Sequence, residues 1–253
     1  MVGTEDAVSV NAFIITGSEP KRVIVRGLGP SQPFTVPLQD PVLELRDSAG
    51  GLIASNDNWR SDQEAEIIAT GLPPTNDLES AIVATLPPDV YTVVLRGKNG
   101  GTGTGLNELY DLSSTSSRLT AVGTRADVLV GDDILISGMI MQDGGDLLVR
   151  VLGPSLSEAG VPNILPDPTL EFRDGNGVLL ISNNDWQDDP AQAAAIVATG
   201  LAPSSPVESA AILAGLPPGD YLAVAAGLNG TTGIGYVQFY SLPHSGPVLK
   251  LTP

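Results

Sequence analysis

The sequence predicts an all-β protein made of two tandem β-sandwich domains of the jelly-roll or immunoglobulin-like kind, each with one short helix. Three observations carry this. Residues 40–59 read DPVLELRDSAGGLIASNDNW and residues 167–186 read DPTLEFRDGNGVLLISNNDW, an ungapped match at 11 of 20 positions. In both copies apolar and charged residues alternate (Leu43, Glu44, Leu45, Arg46; Leu170, Glu171, Phe172, Arg173), which is the period of a half-buried strand. Finally, 29 Gly and 21 Pro punctuate the short apolar runs, as the turns of a many-stranded fold require.

The repeat sets the domain plan. Residues 1–112 form the first sandwich, 113–243 the second and 244–253 a C-terminal tail strand; each sandwich is long enough to bury its own core. The opening strands are residues 8–16 (VSVNAFIIT) and 22–26 (RVIVR), running into GLGPS at 27–31; residues 134–141 and 147–150 lead likewise into VLGPS. Val2 and Gly3 align with Val130 and Gly131. Arg26 and Arg150 are 124 apart while Trp59 and Trp186 are 127 apart, so the second copy carries a three-residue insertion near 158–163. A helix follows each tryptophan. Asp189, Pro190 and Gln192 fit the cap and first turn of one, with Gly200 at its left-handed end; Ser61 and Glu64 make a capping pair for the other, which buries Ile67 and Ile68 and closes at Gly71. Residues 79–97 and 208–227 each read as two strands about a Pro-Pro turn. Gly-rich hairpins follow at 99–105 and 229–235, and the last strands end at Tyr110 and Tyr240.

This succession of a DPxLELRD strand, a turn, an L-I-A-S-N-D strand end, ESAIVATLPPDVYTVVLRG and GGTGTG resembles the bacterial pre-peptidase C-terminal domain. It is also similar to tandem repeats of large secreted proteins of environmental bacteria. The resemblance covers nearly all of both units. It implies an extracellular jelly-roll-like scaffold, often appended to other activities and in some cases binding calcium; it does not imply an enzyme.

Composition narrows the function classes. With 29 acidic residues against 12 Lys and Arg the formal net charge is -17, which disfavours nucleic acid and anionic membrane surfaces as partners. No cysteine is present, so disulfides and thiolate metal sites are excluded. No run of eighteen apolar residues occurs and the start lacks a basic, then apolar, leader, so membrane insertion is not expected. The one histidine, His244, lies in the tail, which leaves nucleophile-histidine catalysis without a base. GGTGTG lacks the Lys-Ser/Thr of a phosphate loop. No acid pair of the glycosidase kind is marked, and duplication of every acidic loop argues for structural use.

Two groups of candidate residues remain. Asp57, Asp62 and Glu79 in the first copy, and Asp185, Asp188 and Glu208 in the second, are hard oxygen donors suited to calcium, although their spacing does not match the twelve-residue EF-hand loop and turn and helix-cap formation is the commoner use of Asp and Asn in such loops. Trp59 and Trp186 are read as core anchors in preference to sugar platforms, which leaves surface glycans a secondary partner, and Arg26 and Arg150 as closing ion pairs at sheet rims. The second group concerns assembly. The first sandwich has no counterpart of the strand at 118–124, whereas the tail has a spare alternation at Val248, Leu249, Lys250 and Leu251. Donation of that tail to an acceptor edge at Val8, Val10, Phe13 and Ile15 of the next copy would join subunits head to tail into an extracellular filament or tube. The other class is an adhesin or the non-catalytic binding module of a larger secreted protein.

Overall fold

In the computed structural model, which describes residues 1–131 and 133–243, the chain divides into a unit spanning Met1–Ala126 and a second beginning at Asp127. The first unit contains β1 (Ser9–Thr16), β2 (Lys21–Leu28), β3 (Pro41–Arg46), β4 (Leu52–Asn56), α1 (Glu64–Ala69), β5 (Ser80–Leu86), β6 (Val90–Gly97), β7 (Leu106–Asp111) and β8 (Arg118–Val128). One sheet runs β8-β1-β6-β3-β4 and the other β5-β2-β7, antiparallel throughout. Alternation drives the faces: Phe13, Ile15, Leu43, Leu45, Tyr91, Val93 and Leu95 point inward from the first sheet and meet Val23, Val25, Ile82 and Leu86 of the second. The ring of Phe13 stacks on that of Tyr91 at 5.4 Å between centroids. Each such side chain taken from water stabilises the fold by about 1.5–3 kcal/mol.

The second unit repeats the plan with β9 (Leu135–Met141), β10 (Gly145–Leu152), β11 (Pro168–Asp174), β12 (Leu179–Asn183), α2 (Pro190–Ala198), β13 (Ser209–Leu216), β14 (Gly219–Gly227) and β15 (Gly233–Leu242). Here the sheets are β12-β11-β14-β9 and β13-β10-β15. Phe172 stacks on Tyr221 at 5.6 Å, as Phe13 does on Tyr91, and Phe239 closes against Phe172. The stretch leading into the insertion folds as a 3-10 helix, Pro154–Ala159, that buries Leu156. Both units are β-sandwiches with one short helix, as the sequence predicts. Among the described residues no helix is long and apolar enough to cross a membrane.

Several local expectations are corrected. Only β3 with β4, and β11 with β12, are hairpins. The Pro-Pro turn sends β5 and β6 into opposite sheets, and the Gly-rich stretch does the same for β6 and β7; sequence adjacency does not report which strands hydrogen-bond. The first unit runs on to Ala126, within β8, and not to residue 112, because Arg118–Arg125 of β8 pair with β1. Val2 stands against Gly105 as Val128 stands against Gly235, so the start of the chain matches Val128 and not Val130. Asp189 does cap α2, accepting from the backbone N–H of Ala191 and Gln192. Ser61 and Glu64 form no capping pair, since the Ser61 hydroxyl donates to the carbonyl of Asn58 and Glu64 pairs with Arg60.

The GLGPS turns explain their glycines. A Cβ at Gly29 would lie 2.0 Å from the carbonyl oxygen of Leu38, and one at Gly153 would lie 2.0 Å from that of Leu165. Gly153→Ala is therefore expected to cost on the order of 3 kcal/mol through forced backbone movement. Gly177→Ala, at φ +82° with open space around it, should cost about 1 kcal/mol; chemical denaturation of the two variants measures the difference, and equal costs would refute the close approach at Gly153.

Candidate functional site

The loops after β4 and β12 line a cleft in each unit. The first, about 390 Å³, is bordered by Asn56, Asp57, Asp62, Arg96 and Lys98; the second, about 520 Å³, by Glu171, Asn183, Asn184, Asp188 and Gln192. No aromatic ring lines either one. Trp59 and Trp186 are buried at 2% and 6% exposure, and their indole N–H groups donate to the carbonyls of Asn76 and Ser205. They are core anchors, as expected, and offer no face to a sugar.

The six acids predicted as calcium ligands do not converge. Glu79 and Glu208 are wholly buried and are spent on the GLGPS and VLGPS turns. One oxygen of Glu79 accepts from the N–H of Gly29 (2.9 Å), the N–H of Ser31 (3.0 Å) and the Ser31 hydroxyl (2.6 Å). Glu208 repeats this with Gly153 (2.9 Å), Ser155 N–H (2.9 Å) and Ser155 hydroxyl (2.6 Å). Asp57 is taken by Lys98 at 2.6 Å; that hydrogen bond holds the Asp57 carboxyl below its ordinary range and the Lys98 ammonium above its own. Asp62 and Asp188 border the two clefts. Among the described residues no group of three or more acidic or imidazole side chains is placed to hold a metal ion, so the calcium expectation finds no built centre.

The amides of these loops have a role that sequence reasoning missed. The Asn56 side-chain oxygen accepts from Ala81 N–H at 3.1 Å, and the Gln63 amide both donates to Val83 C=O (2.9 Å) and accepts from Val83 N–H (3.0 Å). Asn183 does the same for Ala210 (2.9 Å), and Gln192 for Ile212 (3.2 and 3.1 Å). Side chains thus close the outer edges of β5 and β13. The signal available beforehand was that Asn56, Gln63 and Glu79 each have an identical residue in the second copy.

The two clefts differ in their cations: Arg96 and Lys98 border the first, and no basic residue borders the second. Lys98 N–H donates to Asp40 C=O as Leu228 N–H does to Asp167 C=O, both at 2.9 Å, so Leu228 stands in the place of Lys98. The second unit keeps acids there without the lysine. Asp185 is raised above the ordinary carboxylate range, first by burial and then by Asp188 and Asp167, and its Oδ1 is buried with no hydrogen-bond partner. The arginines diverge too. Arg26 pairs with Glu108, whereas Arg150 meets the neutral amide of Gln238, so only the first closes the expected ion pair.

The predicted acceptor edge is not open. Val8 precedes β1, while Val10 faces Val94 of β6 on one side and Arg125 of β8 on the other; Phe13 lies between Tyr91 and Val122, and Ile15 opposite Leu119. The strand thought to be missing from the first unit is β8, supplied by the same chain. The equivalent edge of the second unit is different. β9 pairs with β14 and is the last strand of its sheet among the described residues, with Ile136 and Ile140 exposed at 55% and 65%. The donor candidates Val248, Leu249, Lys250 and Leu251 lie outside the described residues.

No protein-family model matches the sequence, and no curated protein matches it. Solved structures to which the fold is similar include a crystal structure of the STIV MCP, at 14% identity and TM-score 0.26 over 95% of this chain and 92% of that one. An atomic structure of Sulfolobus Turreted Icosahedral Virus gives 11% identity and TM-score 0.25 over 95% and 87%. PNGF-II in the P21 space group gives 8% identity and TM-score 0.25 over 94% and 62%. At such scores nothing about what those proteins do is carried over.

Asp185 supplies a test of the loop after β12. Its raised pKa means that ionisation costs more in the folded than in the unfolded chain, so the penalty is absent below about pH 4 and complete once pH exceeds the folded value. Asp185→Asn, the residue type found at the matching Asn58, should raise Tm at pH 7 by on the order of 2 °C and leave it unchanged near pH 3. Calorimetry at both pH values checks this, and an equal shift at both would remove the charge explanation.

Proposed function

We propose that this chain is a non-catalytic structural subunit of an extracellular assembly, and that copies join by β-strand addition at the outer edge of β9. One observation carries the reading: β1 and β9 are equivalent strands, yet β1 is covered by β8 while among the described residues β9 ends its sheet with two exposed isoleucines. Exposed edges recruit strands unless they are blocked. The other edges are defended. β5 and β13 carry amide caps; β4 and β12 are five residues long with a register shift beside them; β7 bears Glu108 and Asp111. β9 has seven residues, no charge, no proline and an unbroken register.

Joining through β9 replaces a head-to-tail contact on the first unit, because that edge is already occupied. The net charge of -17 supports an assembly whose surfaces repel unless a directed contact brings them together. An extracellular setting is what the resemblance to secreted repeats implies. A catalytic reading draws no support from the clefts, whose acids are tied to lysine or bordered by amides.

The test is to replace Ile136 and Ile140 together with lysine, which places edge-blocking charges at exposed positions. Light scattering and electron microscopy should show wild-type oligomers or polymers, and the double variant should associate at least roughly tenfold more weakly, ~1.4 kcal/mol, with its Tm preserved. A wild-type chain that stays monomeric at every concentration reached, or assembly indifferent to the two lysines, would overturn the proposal.

A further inference from the structure

We infer that the second unit binds a primary ammonium group, carried by a lysine side chain of a partner protein, at the position which the Lys98 ammonium fills in the first unit. The inference is independent of strand addition and starts from the two copies of the repeat. In the first, Lys98 borders the cleft, and its ammonium lies 2.6 Å from a carboxylate oxygen of Asp57 and 3.7 Å from one of Asp40. The same three positions in the second unit hold Leu228, Asn184 and Asp167. The lysine is gone, while both oxygen-bearing side chains remain. Those oxygens are not satisfied from within the chain: Oδ1 of Asn184, of Asp167 and of Asp185 is in each case buried without a hydrogen-bond partner. Asp40 also keeps one such oxygen, so the difference between the copies lies in the loop. Asp57 accepts from Lys98 and from the Asn58 amide, whereas Asn184 and Asp185 each retain an orphan. A buried acceptor left unpaired is costly, and a ligand that brings donors removes the cost.

Charge points the same way. Asp188 and Asp167 are near enough to Asp185 for their charges to act on it. Arg96, which borders the first cleft, has Ala226 as its counterpart, since Arg96 faces Val42 as Ala226 faces Thr169. A cation arriving at the second cleft therefore meets acids and amides with no basic residue to compete, and the net charge of -17 favours the approach of a basic partner. The walls fit an alkylammonium better than a bare ion. Leu170, Ile181, Ala210, Ala211 and Leu228 line the cleft beside Asn184 and Asp188. Apolar surface thus lies next to oxygens, as a four-carbon stem with a charged, three-donor head requires. Among the described residues no three acids are placed to hold a metal ion.

The probe is Nα-acetyl-lysine methylamide, titrated into the full chain by calorimetry, with its Nε-acetylated form as the control that lacks the charge. Wild-type protein is expected to take up the probe saturably and the control not at all. Leu228→Lys, which restores the residue of the first unit, should fill the site from within and abolish uptake; Asp167→Asn should weaken uptake at least roughly tenfold, ~1.4 kcal/mol. Melting curves confirm that both variants fold, and the acetylated control decides the matter if either does not. Absence of saturable uptake at about 10 mM probe, or uptake indifferent to loss of the charge or to both substitutions, would overturn the inference. So would displacement of the probe by calcium chloride at an equal or lower concentration, which assigns the site to a metal ion.

Discussion

Every sheet has two edges, and every N–H and C=O along them needs a partner or water. This chain meets that constraint with a different device at each place. Amide side chains of Asn56, Gln63, Asn183 and Gln192 act as a substitute strand along β5 and β13. Their geometry suits the task, since a primary amide presents one donor and one acceptor in the same plane as a peptide. An eleven-residue strand, β8, serves β1. The loops that look like ligand sites in the sequence exist in good part to hold these amides in place, which explains why they recur unchanged.

A second constraint keeps the turns fixed. Glu79 and Glu208 are carboxylates without access to water, a state that is costly unless every oxygen is bonded. Each receives two backbone N–H groups and a serine hydroxyl from the GLGPS or VLGPS turn. Hydrogen bonds to a charged group contribute roughly 1.5–3 kcal/mol each, and they pin the turn to the strand that begins at Ser80 or Ser209. Around this shared frame the surfaces have drifted. Lys98 gives way to Leu228, and Glu108 to Gln238, so charge pairing at the surface is dispensable where the buried carboxylate is not.

How much was legible follows from range. Alternation, the duplication, the helix opened by Asp189 and Pro190, and the burial of the tryptophans are local signals, and they read correctly. Pairing partners are not local. The pairs β5–β2 and β7–β2 join residues far apart in sequence, whereas the two Pro-Pro turns look like hairpins because a crossing between sheets and a reversal within one use the same residues. The allegiance of β8 was misread for the same reason: it precedes the second unit in sequence, yet its residues Arg118–Arg125 hydrogen-bond to β1 of the first. The acids were read as ligands because side-chain chemistry is visible in a sequence and the partner that consumes it, Lys98 or a backbone turn, is not.

Moving the open edge from β1 to β9 changes what kind of assembly the chain can build. Two β9 edges set antiparallel across a twofold axis present the same surface from both copies, so that contact closes a pair and stops. A contact between β9 and a different segment of the next copy leaves one surface free at each step and continues. The physical distinction between a dimer and a fibre in this system therefore lies in what meets β9 and not in β9 itself.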